Sequence, residues 1–167
     1  TKDVAEDGTA IWTASELNAT DPDTASGSLT WSLVSTASNG VATVSGTGAS
    51  PSTITYVPTA DYNGVDSFEV QVSDGVLTDS IMVNLTVLPG NDGPVITQGA
   101  GPLTKNVAED GLATWTALEL NATDVDTASG SLTWSVSSAA SNGVATVSGT
   151  GASPPTFTYA PSTDYFG

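Results

Sequence analysis

The chain has 167 residues, 18 of them acidic and two basic (Lys2 and Lys105), with neither histidine nor cysteine and a formal charge of −16. The usual proton shuttle and soft nucleophile are therefore missing, zinc, copper and haem lack their common ligands, and no disulfide can form. Nucleic acid and anionic membranes are excluded as partners because both require Lys and Arg, which leaves hard cations bound through oxygen. No apolar run approaches the roughly 20 residues of a membrane span, and no signal peptide opens the chain. Abundant Thr, Ser, Gly and Val, with charge confined to Asp and Glu, point to an extracellular or cell-surface setting.

In chain order, the first predicted element is a weak strand around Trp12, with Ala10 and Ala14 on its inner face, followed by a single turn over Ala14–Asn18. Leu29, Trp31 and Leu33 then alternate with Thr30 and Ser32, and Ile54 and Tyr56 with Thr53 and Thr55. In Ser67–Ser73, Phe68, Val70 and Val72 share one face; in Ser80–Leu88, Ile81, Val83, Leu85 and Val87 do. Period two with one wet face is the mark of antiparallel sheet. Turn signals separate the runs at Asn39-Gly40, Gly46-Thr47-Gly48, Asn63-Gly64 and Asp74-Gly75. About seven strands in about 100 residues predict an all-β fold, a β-sandwich of immunoglobulin size.

The chain also repeats. Thr1–Gly64 returns as Thr104–Gly167, an offset of 103, with 14 differences over the 64 aligned positions. A period that long is a whole small domain, so the sequence reads as a stretch of tandem array. Proline and glycine in Leu88-Pro-Gly-Asn-Asp-Gly-Pro94 stop the last strand, and Val95-Ile96-Thr97 begins a new one. The expected units are 1–93, lacking its first strand, and 94–167, lacking its last two. Trp134, Val144 and Tyr159 would then lose core partners. Either the chain runs on past residue 167, the favoured reading, or a neighbouring molecule supplies strands to a filament.

Acids cluster in the loops, as Glu6-Asp7, Asp21-Pro-Asp23, Asp61, Asp66 and Asn91-Asp92, and again as Glu109-Asp110, Asp124-Val-Asp126 and Asp164. The order Val-Ala-Glu-Asp-Gly, Thr-Asp-Pro-Asp, Asp-Tyr-Asn-Gly-Val-Asp-Ser-Phe, Val-Ser-Asp-Gly, Asn-Asp-Gly-Pro resembles bacterial cadherin-like tandem repeats of large surface adhesins and biofilm proteins. The resemblance implies seven-stranded, Greek-key cadherin-like sandwiches with calcium as cofactor where domains meet. The ligands it implies are Glu6, Asp61, Asp66, Asn91, Asp92, Asp124 and Asp126. It departs from the vertebrate pattern at Pro89-Gly90, where an additional acid is missing, which implies fewer or weaker ions.

On that reading the chain is a calcium-stiffened spacer in adhesion, its partners being neighbouring repeats and a polysaccharide or cell-surface ligand, and it is no enzyme. The alternative is a carbohydrate-binding module using Trp12 and Trp115; Trp31 and Trp134, flanked by alternating apolar residues, read as core. Glu16 and Glu119 read as solvated, and Asp74 and Asp79 as loop-tip acids.

Overall fold

The computed structural model describes residues 1–166; Gly167, the last residue of the expected second unit, lies outside them. The chain divides into two compact units, one ending at Gly90 and one opening at Asn91. This division falls ahead of the expected Gly93. Within the second unit, the Asp92 N–H donates to Asp126 Oδ2 at 2.7 Å, which ties the linker residue to the later domain.

The first unit has seven strands: β1 (Lys2–Ala5), β2 (Ala10–Ile11), β3 (Thr30–Ser35), β4 (Gly40–Ser45), β5 (Thr53–Pro58), β6 (Gly64–Ser73) and β7 (Thr78–Leu88). They form two sheets, ordered β1-β7-β6-β3 and β2-β5-β4. β1 runs parallel to β7, with Val4 opposite Val87, and the other pairings in this unit are antiparallel. The alternation seen in sequence decides which side chains meet. Phe68, Val70, Leu85, Val87 and Trp31 point in from one sheet, and Ala42, Ile54 and Tyr56 from the other. Phe68 and Val70 are completely buried. The Phe68 ring stacks on Tyr56 at 6.3 Å and meets the edge of Trp12 at 5.6 Å. Ile81 departs from its predicted inward face, being 52% exposed near the far end of the β6–β7 hairpin.

The second unit holds β8 (Val95–Ile96), β9 (Ala113–Thr114), β10 (Ala122–Thr123), β11 (Thr133–Ser135), β12 (Gly143–Thr150) and β13 (Thr156–Pro161). β9, β13 and β12 repeat the β2-β5-β4 sheet, with Tyr159 opposite Ala113 as Tyr56 is opposite Ala10. β8 pairs with β10. The counterpart of β3 keeps one of its two neighbours: the Trp31 N–H donates to the Gly46 carbonyl just past β4 while Trp31 also pairs with Val72 on β6, and Trp134 pairs with Gly149, the residue matching Gly46, on β12. Trp134, Phe157 and Tyr159 are only half-buried, and Trp115 stacks on Phe157 at 4.2 Å.

Val144 is a correction. It is 68% exposed, and so is its first-unit counterpart Val41, which has a β6–β7 hairpin above the same sheet. Alternation along β4 sends Ala42 and Val44 inward and Val41 to water. Val144 therefore lies on the wet face whatever covers the other side.

Phe68→Ala should destabilise the first unit by about 3–5 kcal/mol, since a buried ring and both of its aromatic contacts are lost. Val41→Thr, on the wet face, should cost under about 1 kcal/mol. Denaturant midpoints for the two variants check the assignment of faces.

Candidate metal centre

Strand direction places the acids at two opposite ends of each unit. Glu6 directly follows β1, which runs parallel to β7, so it lies at the trailing end, where β7 finishes; its N–H donates to the Leu88 carbonyl at 2.9 Å. Asp61 precedes β6, whose first residue Gly64 pairs with Val87, so it lies at that same end. The Glu6 and Asp61 carboxylate oxygens come within 4.8 Å of each other. Glu6 is 8% exposed. Its Oε2 accepts from the Gly90 N–H at 3.2 Å and from the Asn63 side-chain amide at 3.5 Å. Its Oε1 is buried with no hydrogen-bond partner. A desolvated carboxylate oxygen without a donor is costly, and a hard cation satisfies such an oxygen well.

Backbone conformation supports the trailing loops. Asp7 and Asp61 adopt left-handed φ values of 59° and 61°, and their repeats Asp110 and Asp164 adopt 56° and 57°. Aspartate tolerates this region better than most side chains. In the second unit Glu109, Asp110 and Asp164 also gather, all of them exposed.

The leading end carries the Asp-x-Asp motifs. Asp21 lines a groove with Asp74, Leu77 and Thr78 of the β6–β7 turn, opposite the Glu6 end. Its Oδ1 accepts from the Asp23 and Thr24 N–H groups at 2.8 and 2.7 Å. Asp124 repeats this with Asp126 and Thr127 at 3.0 and 2.6 Å. The first acid of each motif thus builds its own turn, and the second is left to reach outward. Asp126 Oδ2 holds the Asp92 N–H, and the Asn91 side-chain amide donates to the Asp92 carbonyl at 2.8 Å. Asn91, Asp92, Asp124 and Asp126 are therefore brought together at the leading end of the second unit.

Asp66 is placed elsewhere. It is 9% exposed and accepts from the Ser38, Asn39 and Ser67 N–H groups and from the Tyr56 hydroxyl, at 2.8 to 3.1 Å. Burial pushes its carboxyl up, but the Asn39 N–H, the Tyr56 hydroxyl and the two other amides outweigh it, and the net shift is down. Burial and the Asp66 carboxylate in turn raise the Tyr56 hydroxyl. Asp66 anchors the β3–β4 turn to the core, and its oxygens already have protein donors.

Glu16 and Glu119 stay at the surface, as expected, but each has a fixed partner. The chain's two lysines, Lys2 and Lys105, reach them at 2.9 and 2.8 Å. Each glutamate also accepts the N–H of Thr13 or Thr116 at 2.8 Å. The lysine bond first, and the threonine bonds next, hold both carboxyls at about 2, well below the usual 4.5. Each ammonium lies over an indole, 5.1 Å from the Trp12 ring centroid and 5.5 Å from that of Trp115. With Phe68 or Phe157 against them as well, these half-buried rings are engaged within their own units. The repeat copies the pair, each lysine preceding its glutamate by 14 residues.

Residues 1–86 match the profile of a family described as bacterial Ig domain. None of the curated proteins compared is similar enough to match. Among solved structures, an endo-fucoidan hydrolase of glycoside hydrolase family 107 is similar at 16% identity and a TM-score of 0.41. That similarity covers 98% of this chain and 23% of the hydrolase.

Two outcomes follow from this geometry. Asp66→Asn should cost about 1–3 kcal/mol, because the asparagine amide cannot serve every donor now aimed at the carboxylate. The loss should be equal in calcium and in chelator, as denaturant titrations in both would show. For Glu16 and Glu119 the folded carboxyls titrate below their usual 4.5, so their stabilisation is complete above that pH and is lost as pH falls toward about 2. Glu16→Gln with Glu119→Gln should flatten the acid limb of a stability–pH profile in that window; an unchanged limb would refute the pairing.

Proposed function

We propose, from the fact that this chain belongs to the bacterial Ig domain family, that it is a non-catalytic, cadherin-like spacer module of an extracellular adhesin or surface filament, stiffened by calcium. The observation that carries this reading is the buried, unpartnered Oε1 of Glu6 beside the Asp61 carboxylate. Acids at both ends of the repeat support it. In a tandem array the Glu6–Asp61 end of one unit is followed in the chain by Asn91, Asp92, Asp124 and Asp126 of the next.

Calcium takes six to eight oxygens at roughly 2.3–2.6 Å, and aspartates from separate loops can supply them. When bound it would neutralise carboxylates that otherwise repel and would satisfy Glu6 Oε1. The chain's own residues do the remaining work. Asp21 and Asp124 shape the turns that present Asp23 and Asp126, and the Gly90 N–H and the Asn63 amide orient Glu6 through its other oxygen. No described helix is long and apolar enough to cross a membrane. A spacer needs none within each bead.

Calorimetry of the full chain with added calcium tests the proposal. Saturable binding should raise the melting temperature, by an amount equivalent to about 2.7 kcal/mol at a hundredfold excess over Kd, and chelator should reverse it. Glu6→Gln with Asp61→Asn should abolish most of that gain while changing stability little in chelator. Equal losses with and without calcium would remove the metal from the account.

A further inference from the structure

Three asparagine–glycine steps occur, at Asn39-Gly40, Asn63-Gly64 and Asn142-Gly143. In such a step the glycine nitrogen can attack the asparagine side-chain carbonyl carbon, because the following residue has no Cβ to obstruct it. The new N–C bond closes a succinimide. The side-chain nitrogen leaves as ammonia, carrying the proton lost by the peptide nitrogen. Water then opens the ring to aspartate or isoaspartate. No oxidant or other reagent is required.

The structure separates the three steps. Asn39 is held on both sides: its N–H donates to Asp66 Oδ2 at 2.8 Å, and its carbonyl accepts from the Tyr56 hydroxyl at 3.1 Å and the Thr59 N–H at 2.8 Å. The Asn142 carbonyl accepts from the Tyr159 hydroxyl at 2.7 Å and the Ser162 N–H at 3.0 Å, and its amide donates to Tyr165 at 3.1 Å. Gly40 and Gly143 also sit against tyrosine rings, where an added Cβ would come within 2.4 and 2.6 Å of Tyr56 and Tyr159. Asn63 is different. It is exposed, as Asn142 also is, but its amide reaches only Glu6 Oε2 at 3.5 Å, the outer edge of a hydrogen bond, and an added Cβ at Gly64 would meet the Tyr62 hydroxyl at 3.0 Å, a looser approach than at the other two glycines.

We propose that Asn63 is a spontaneous modification site, and that its conversion to aspartate adds a third carboxylate beside Glu6 and Asp61 and tightens divalent-cation binding there. The modification stands on the geometry of the three steps; the gain in affinity rests on the calcium reading above. The repeat supplies an internal contrast. The second unit has Phe166 at the matching position, so its Glu109, Asp110 and Asp164 group cannot be extended in this way.

The test has two arms on the full chain. In the first, the protein is incubated at mildly alkaline pH and mapped by peptide mass spectrometry for the amide-to-acid mass gain. Asn63 should convert roughly tenfold faster than Asn39 or Asn142, which must open locally before they react. Equal or faster conversion at either of those sites overturns the assignment. In the second, calcium is titrated into Asn63→Asp and wild type. The variant should bind roughly tenfold more tightly, since added ligand charge raises affinity at such sites. Conversion at Asn63 with no gain in the variant overturns the affinity claim. Absence of calcium binding by wild type and variant alike overturns the reading beneath it and leaves the modification result intact.

Discussion

The β6–β7 hairpin is the element on which the first unit depends. Gly64–Ser73 pairs with Thr78–Leu88 along its whole length, and β7 also carries β1 while β6 carries β3. Phe68, Val70, Leu85 and Val87 from these strands are, with Tyr56 of β5, the most deeply buried part of the core. The hairpin's own turn is set locally, by Asp74, whose carboxylate accepts from the Val76 and Leu77 N–H groups. In the second unit the counterpart of β3 bonds to β12 much as Trp31 bonds to Gly46, and Trp134, Phe157 and Tyr159 are half-buried.

Charge is the second constraint. With 18 acids against two lysines, the carboxylates that are not left to water take their donors chiefly from backbone amides. Asp21, Asp74 and Asp124 do so through short-range turns, and Asp66 by reaching across to the β3–β4 turn. Glu16 and Glu119 take the lysines. At Glu6 this supply falls short, since one of its buried oxygens has no donor. That shortfall at the trailing end, beside Asp61, is the observation on which the calcium proposal rests.

The alternation of apolar residues made the strands legible. Leu29 and Trp31, Ile54 and Tyr56, and Phe68 and Val70 were all placed on their buried faces by period two alone. Val144 was misplaced because an apolar side chain near the start of a strand carries no indication of which face the register assigns it. Asp66 could not be told from Asp61 in sequence, although the two differ completely in surroundings: a left-handed loop leaves Asp61 in water, and strand β6 turns Asp66 inward. Glu16 is exposed as the sequence suggests, but its lysine partner is distant in the chain, and only the folding of β1 beside β2 brings the two together.

The sequence by itself determined the all-β character, the repeat, the absence of histidine and cysteine chemistry and the acidity of the loops. These properties follow from composition and local periodicity, which need no tertiary contact to be expressed. Tertiary structure alone decided which acids are satisfied, which share an end of the sandwich, and which asparagine–glycine step is left unprotected. Those outcomes depend on strand direction and register, and a pairing such as Gly64 with Val87 joins residues whose proximity no local pattern encodes.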